Sequence, residues 1–144
     1  LGGRQLLLTP HSQAHTDNDL SIFDEQTQTL WTGDLLFVEH IPVVGGSGSV
    51  NGWLGVIDEI QHLKPRTIVP GHGQLLDDSA LAINNLKRYL NVLRDETRAW
   101  IAEDKGIDTA LENIGHSERD KWAMFDHYHK RNVSYAYTEL EWED

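Results

Sequence analysis

Residues 14–37 decide the reading: Ala14-His15-Thr16-Asp17-Asn18-Asp19-Leu20-Ser21-Ile22-Phe23-Asp24-Glu25-Gln26-Thr27-Gln28-Thr29-Leu30-Trp31-Thr32-Gly33-Asp34-Leu35-Leu36-Phe37. Leu20 to Phe23 and Thr29 to Trp31 are β-like, and the polar turn Asp24 to Gln28 between them predicts a hairpin. A polar turn carrying His15 precedes the first strand. A tight turn, Thr32-Gly33-Asp34, is expected after the second, and Leu35 to Val38 resumes the apolar character.

Upstream, Gln5 to Thr9 is a short apolar run. Downstream, Val43 to Ser49 is Gly-rich and reads as a flexible surface loop. The wider Gly-rich stretch from Pro42 to Gly52 reads equally as the border of a cleft or as a plain connector. Asn51 to Leu63 has Trp53, Leu54, Ile57, Ile60 and Leu63 at helical spacing, with Pro65 as a stop. Thr67 to Val69 is a short buried strand closed by the turn Pro70-Gly71-His72-Gly73. Asp78 or Ser79 is the expected cap of a long helix with Ile83, Leu86, Leu90, Leu93, Thr97 and Trp100 on one stripe, ended by Gly106. A small helix over Thr109 to Ile114 and a helical region over Ser117 to Trp142, interrupted near His129, complete the chain. Strands and helices alternating in this way indicate an α/β layered domain. Residues 1–75 form its β-rich part with one helix, and 76–144 a helical part packed on it as one structural unit.

The 144 residues carry 12 Lys+Arg against 23 Asp+Glu, a net charge of −11. That balance argues against nucleic acid, which needs a basic footprint, and against an anionic membrane surface. Hydrophobic residues make up 39%, enough for one core. No apolar run approaches the ~20 residues of a spanning helix. With no cysteine, neither a disulfide framework nor a thiolate metal site is possible. This composition fits cytosol and periplasm alike. Leu1 to Pro10 already reads as folded-domain sequence, so the chain is expected to begin inside a longer protein.

Three segments place a possible ligand at a strand edge: Ala14-His15-Thr16, Thr32-Gly33-Asp34 and Pro70-Gly71-His72-Gly73. Rigid elements holding short loops are where sites concentrate. Two neutral imidazoles and one carboxylate form a sensible set for Zn²⁺ or Fe²⁺. Each segment taken alone is equally an ordinary turn.

Together, in this order, Ala14-His15-Thr16, Thr32-Gly33-Asp34-Leu35-Leu36-Phe37 and Val69-Pro70-Gly71-His72-Gly73 resemble the three later metal-ligand motifs of the metallo-β-lactamase superfamily. Arg131-Asn132-Val133 followed by Leu140-Glu141-Trp142-Glu143 is similar to the C-terminal helix of its quinoprotein-relay-type, sulfur-oxidation-associated zinc metallohydrolases. The resemblance implies the second half of an αββα sandwich: a short mixed or antiparallel sheet, then helices. It implies that His15 serves a first metal, that Asp34 bridges two metals, and that His72 serves the second. The metal would be zinc, one or two ions in the complete enzyme, with iron an alternative. The activity would be hydrolysis of a small-molecule substrate by a metal-activated water, with His40 beside the substrate cleft.

One departure matters. The superfamily's upstream His-x-His-x-Asp-His motif is absent from this sequence. His127-Tyr128-His129 is followed by Lys130-Arg131, and is expected to be an interhelical connection. The chain alone should therefore bind metal weakly and show little or no hydrolysis. Half of the fold should leave an apolar sheet face uncovered, which predicts a homodimer or pairing with a missing N-terminal half. The alternatives are a binding or assembly module that retains the half-fold, a nuclease disfavoured by the charge, and a persulfide-oxidising iron enzyme. His62 and His116 are expected to be structural or solvent-facing, and His11, four residues before His15, is a weaker candidate for the site than His40.

Overall fold

In the computed structural model, which describes residues 2–75 and 79–143, four strands form one sheet. Their order is β1 (Leu6–Pro10), β2 (Leu20–Asp24), β3 (Thr29–Phe37) and β4 (Thr67–His72). β1, β2 and β3 run antiparallel, and β4 lies parallel to β3. A parallel pair needs a crossover, and α1 (Val50–Leu63) supplies it. Next come α2 (Ser79–Ala102), α3 (Ile107–Asn113), a 3₁₀ turn (His116–Lys121) and α4 (Phe125–Leu140). A mixed sheet followed by helices is the α/β half-fold the sequence implies.

The α1 helix forms where the spacing places it. Its buried residues Val50, Trp53, Leu54, Val56, Ile57 and Ile60 recur on one face. Ser49 caps it, accepting from the Gly52 N–H at 2.9 Å. The Glu139 carboxylate of α4 accepts from the N–H groups of Val50 (2.7 Å) and Asn51 (3.2 Å), so a negative charge sits on the positive helix end. At the other end Lys64 turns left-handed (φ 50°) just before Pro65. The apolar stripe packs with Phe23, Leu30 and Ile68 from one face of the sheet. The Trp53 indole N–H, buried there, donates to the Leu35 carbonyl at 3.0 Å. The same core cluster takes in Ile83, Leu86, Tyr89, Leu90 and Leu93 of α2 and Val133, Ala136 and Leu140 of α4.

The opposite face of the sheet is open. Leu8, Ile22, Trp31 and Val69 stand in register across the four strands, hence on one face. Leu8 is 55% exposed, Trp31 39%, and neighbouring Leu20 46%.

Several local expectations change. Thr32-Gly33-Asp34 is not a tight turn that ends a strand: β3 runs through it, with a register irregularity at Gly33. Gly33 takes φ 53°, which lets the strand kink without stopping. Pro70 to His72 likewise continues β4, pairing Pro70 with Gly33 and His72 with Phe37. Asp78 lies outside the described residues, and Ser79 is the first helical residue rather than the cap. The α2 helix ends at Ala102, and Gly106 instead precedes α3. The final helical region breaks at Trp122–Met124, where Met124 is left-handed (φ 63°), not near His129. The Val43–Ser49 segment is irregular as expected but is not merely a surface loop: Val44 within it is buried, as is Pro42 just before it.

Candidate metal centre

His15 projects from the β1–β2 loop, Asp34 from the kink in β3, and His72 from the end of β4. The fold brings the three together. His15 Nε2 lies 3.5 Å from Asp34 Oδ2, and His72 Nε2 lies 3.2 Å from Asp34 Oδ1. Each carboxylate oxygen thus faces a different imidazole. The His15 side chain is 15% exposed, whereas Asp34 and His72 are about half-exposed, so the trio opens to solvent.

The surroundings fix these groups. The Val43 carbonyl lies 2.6 Å from His15 Nδ1. A carbonyl can only accept, so Nδ1 carries the hydrogen and Nε2 of the neutral ring presents its lone pair to Asp34. Phe37 stacks on His72, with centroids 4.6 Å apart and planes 16° apart, and lies 5.7 Å from the His15 ring. The Trp53 ring stands edge-on to His15 at 5.5 Å. The Val38 N–H donates to the His72 carbonyl at 2.9 Å, holding the end of β4 against β3. Gly71 allows that approach. A Cβ there would sit 2.4 Å from the Gly33 carbonyl oxygen and 2.7 Å from Asp34 Oδ1.

A lone-pair nitrogen facing a carboxylate calls for a positive charge between them, supplied by a proton or a metal ion. The donor types, the held Nδ1 and the bisected carboxylate fit a divalent ion. Among the described residues, no group of three or more His, Cys, Asp or Glu is arranged to hold a metal ion by itself. Asp34 is shared between the two histidines, so each side offers one imidazole and one carboxylate oxygen.

The other candidates fall elsewhere. His40 is exposed on the rim of the same cleft, together with Met124 and Tyr128. No sequence pattern marked the last two, since the break that carries them to the cleft is a packing outcome. His11 is buried against Ser21 (2.7 Å) on the α1 side of the sheet. His62 ends α1 and bonds the Asp58 carbonyl through Nδ1 at 2.6 Å. His116 is exposed. His127 and His129 are not a connection: both lie inside α4. His127 is exposed, whereas His129 is buried between the Tyr89 hydroxyl (3.1 Å) and the Ile114 carbonyl (2.7 Å). Burial pushes the His129 pKa below the ordinary histidine value. Among the described residues, no helix is long and apolar enough to cross a membrane.

Residues 1–72 match the sequence model described as the Metallo-beta-lactamase superfamily. This chain belongs to that superfamily. Solved structures agree in fold. A metallo-beta-lactamase from Pontibacter korlensis is 25% identical over 61% of this chain and 43% of its own, with a TM-score of 0.52. The metallo-beta-lactamase IND-7 is 18% identical over 63% of this chain and 43% of its own, with a TM-score of 0.55. The stereoselective inverting sec-alkylsulfatase Pisa1 from Pseudomonas sp. is 13% identical, and the match covers 99% of this chain and 25% of that one, with a TM-score of 0.78. Similarity to the alkylsulfatase therefore spans the helices after β4, which the family model leaves unmatched. The chain spans less than half the length of each of these solved structures. No curated protein matches it.

Proposed function

We propose that this chain is the C-terminal portion of a metal-dependent hydrolase and that His15, Asp34 and His72 are its contribution to the metal centre. The observation that carries the reading is the approach of two imidazole Nε2 atoms to the two oxygens of one carboxylate, 3.5 and 3.2 Å away. Zinc suits two imidazoles and a carboxylate, and Fe²⁺ is accepted by the same donors. A divalent ion supplies Lewis acidity and acidifies a water. Asp34 orients the pair of sites, and the Phe37 and Trp53 rings shield the inner side of the imidazoles. His40, Met124 and Tyr128 border the cleft where a small-molecule substrate would lie.

A zinc site has four ligands or three plus water. His15, Asp34 and His72 divide into two incomplete sets. The chain alone is therefore weakly active or inactive, and the remaining ligands come from a second half, on an upstream segment or another chain. The open face carrying Leu8, Leu20 and Trp31 is where that half would pack, or a second copy of this chain. The finer assignment to the quinoprotein-relay-type branch is supported by Arg131-Asn132-Val133 in α4. A non-catalytic assembly module is the second reading, favoured by the lack of His-x-His-x-Asp-His in these residues.

Zinc titration of the 144-residue chain, followed by hydrolysis assays on ester, thioester, lactam and sulfate-ester probes, tests the proposal. Zinc binding lost in His15→Ala and His72→Ala supports it. Binding unchanged in both variants overturns it, as would robust turnover by the isolated monomer for the claim of incompleteness.

A further inference from the structure

We propose that Asn132 of α4 is a positioning residue for His15, acting through the peptide between Val43 and Val44. The inference rests on the reading of His15 as a metal ligand, and its geometry stands independently. Asn132 is fully buried and does not touch the cleft. Its Oδ1 accepts from the Val44 N–H at 3.0 Å, and its Nδ2 donates to the Pro42 carbonyl at 2.7 Å. The Val44 N–H and the Val43 C=O belong to one planar trans peptide and point opposite ways. Asn132 therefore holds one end of a plate whose other end accepts the His15 Nδ1–H at 2.6 Å.

The amide itself is locked. Nδ2 also donates to the Tyr89 hydroxyl at 2.9 Å. That hydroxyl donates to His129 Nδ1 (3.1 Å), and His129 Nε2–H donates to the Ile114 carbonyl (2.7 Å). Every direction in this chain is forced by the carbonyl that ends it, so Asn132 has one orientation. One turn pair further along α4, Glu139 accepts from the Ser49 hydroxyl (2.7 Å) and caps α1. The loop over His15 is thus held at both ends by one helix.

The consequence is tautomeric. With the Val43 carbonyl fixed, the neutral His15 ring keeps its hydrogen on Nδ1 and its lone pair on Nε2. With that carbonyl loose, the hydrogen is drawn to Nε2 by the Asp34 carboxylate, which blocks the position a metal would take.

The test is ring ¹⁵N NMR of His15 in the metal-free chain, at a pH where the ring is neutral. Wild type is expected to show the Nδ1–H form. Asn132→Ala should shift the population toward Nε2–H, and should weaken zinc binding about 10- to 100-fold. Asn132→Asp retains an acceptor for Val44 but loses the donor to Pro42, and should shift it partway if the alanine variant does not fold. Thr97→Ala, another fully buried site away from the loop, should lower stability and leave the tautomer unchanged. A His15 ring that stays Nδ1–H in a folded Asn132 variant overturns the proposal, as does an equal shift in Thr97→Ala. A chain that binds no zinc but shows the Asn132-dependent shift would retain the clamp and refute only the metal reading.

Discussion

Replacing Gly71 with alanine probes the closeness of β3 and β4 where the candidate ligands meet. The new Cβ would lie 2.4 Å from both the Gly33 carbonyl carbon and oxygen, and 2.7 Å from Asp34 Oδ1. Ordinary contact begins near 3.4 Å, so the strands must part by about 1 Å. The obstacle is paired backbone, which cannot swing aside as a flexible side chain would. Overpacking of this kind costs about 1–3 kcal/mol. The displaced carboxylate should also lower zinc affinity by about 10- to 100-fold, the range seen when ligand orientation is lost. Gly55→Ala is the comparison: it lies in α1 with nothing within 4 Å of the added methyl, and should stabilise by about 0.5–1 kcal/mol without changing metal binding. Urea unfolding and zinc titration of both variants decide. A Gly71→Ala protein with wild-type stability and wild-type zinc affinity would refute the reasoning.

Glu118 is fully buried and accepts from Arg88 at 3.0 Å, Lys121 at 2.7 Å and the Trp122 indole at 2.9 Å. Glu118→Ala should cost about 3 kcal/mol in urea unfolding, the low end for a broken buried pair because Arg88 is partly exposed and can rehydrate. Burial pushes this carboxyl up, but the hydrogen bonds from Arg88, Lys121 and Trp122 outweigh it and hold the pKa below the usual glutamate value. Its stabilisation is therefore present above about pH 4.5 and lost as pH falls through the lowered value. His129 acts in the same direction at higher pH. Its folded pKa lies below 6.5, so the unfolded chain binds the extra proton first and stability declines as pH falls below about 6.5. A His129→Gln variant should flatten that slope in pH-dependent unfolding, and an unchanged slope would show that another group titrates there. For the open sheet face, light scattering should find association in wild type and a smaller species in Trp31→Lys, whereas a wild-type monomer would count against a covering partner of the same chain.

The hairpin and α1 were legible because their signals are local: alternation broken by a polar turn, and apolar residues at helical spacing ended by Pro65. Two expected turns became strand because pairing between β3 and β4 overrode glycine and proline punctuation. Gly33 kinks the strand where it was expected to end it. The gathering of His15, Asp34 and His72 was suggested by motif order, but the distances were not. The Val43 carbonyl that sets the His15 tautomer carries no side-chain signature, and Asn132 lies about 90 residues from the loop it holds. His129 shows the opposite failure. Two histidines one residue apart invited a loop reading, yet burial lowers the His129 pKa and two hydrogen bonds hold its ring inside α4.

The most direct measurement is anomalous X-ray diffraction from crystals of the chain soaked in zinc. Peaks within about 2.2 Å of His15 Nε2, His72 Nε2 and the Asp34 oxygens are predicted, at the bond lengths zinc makes to nitrogen and oxygen. Zinc bound only at other histidines, or no zinc at these three side chains at saturating concentration, would contradict the account.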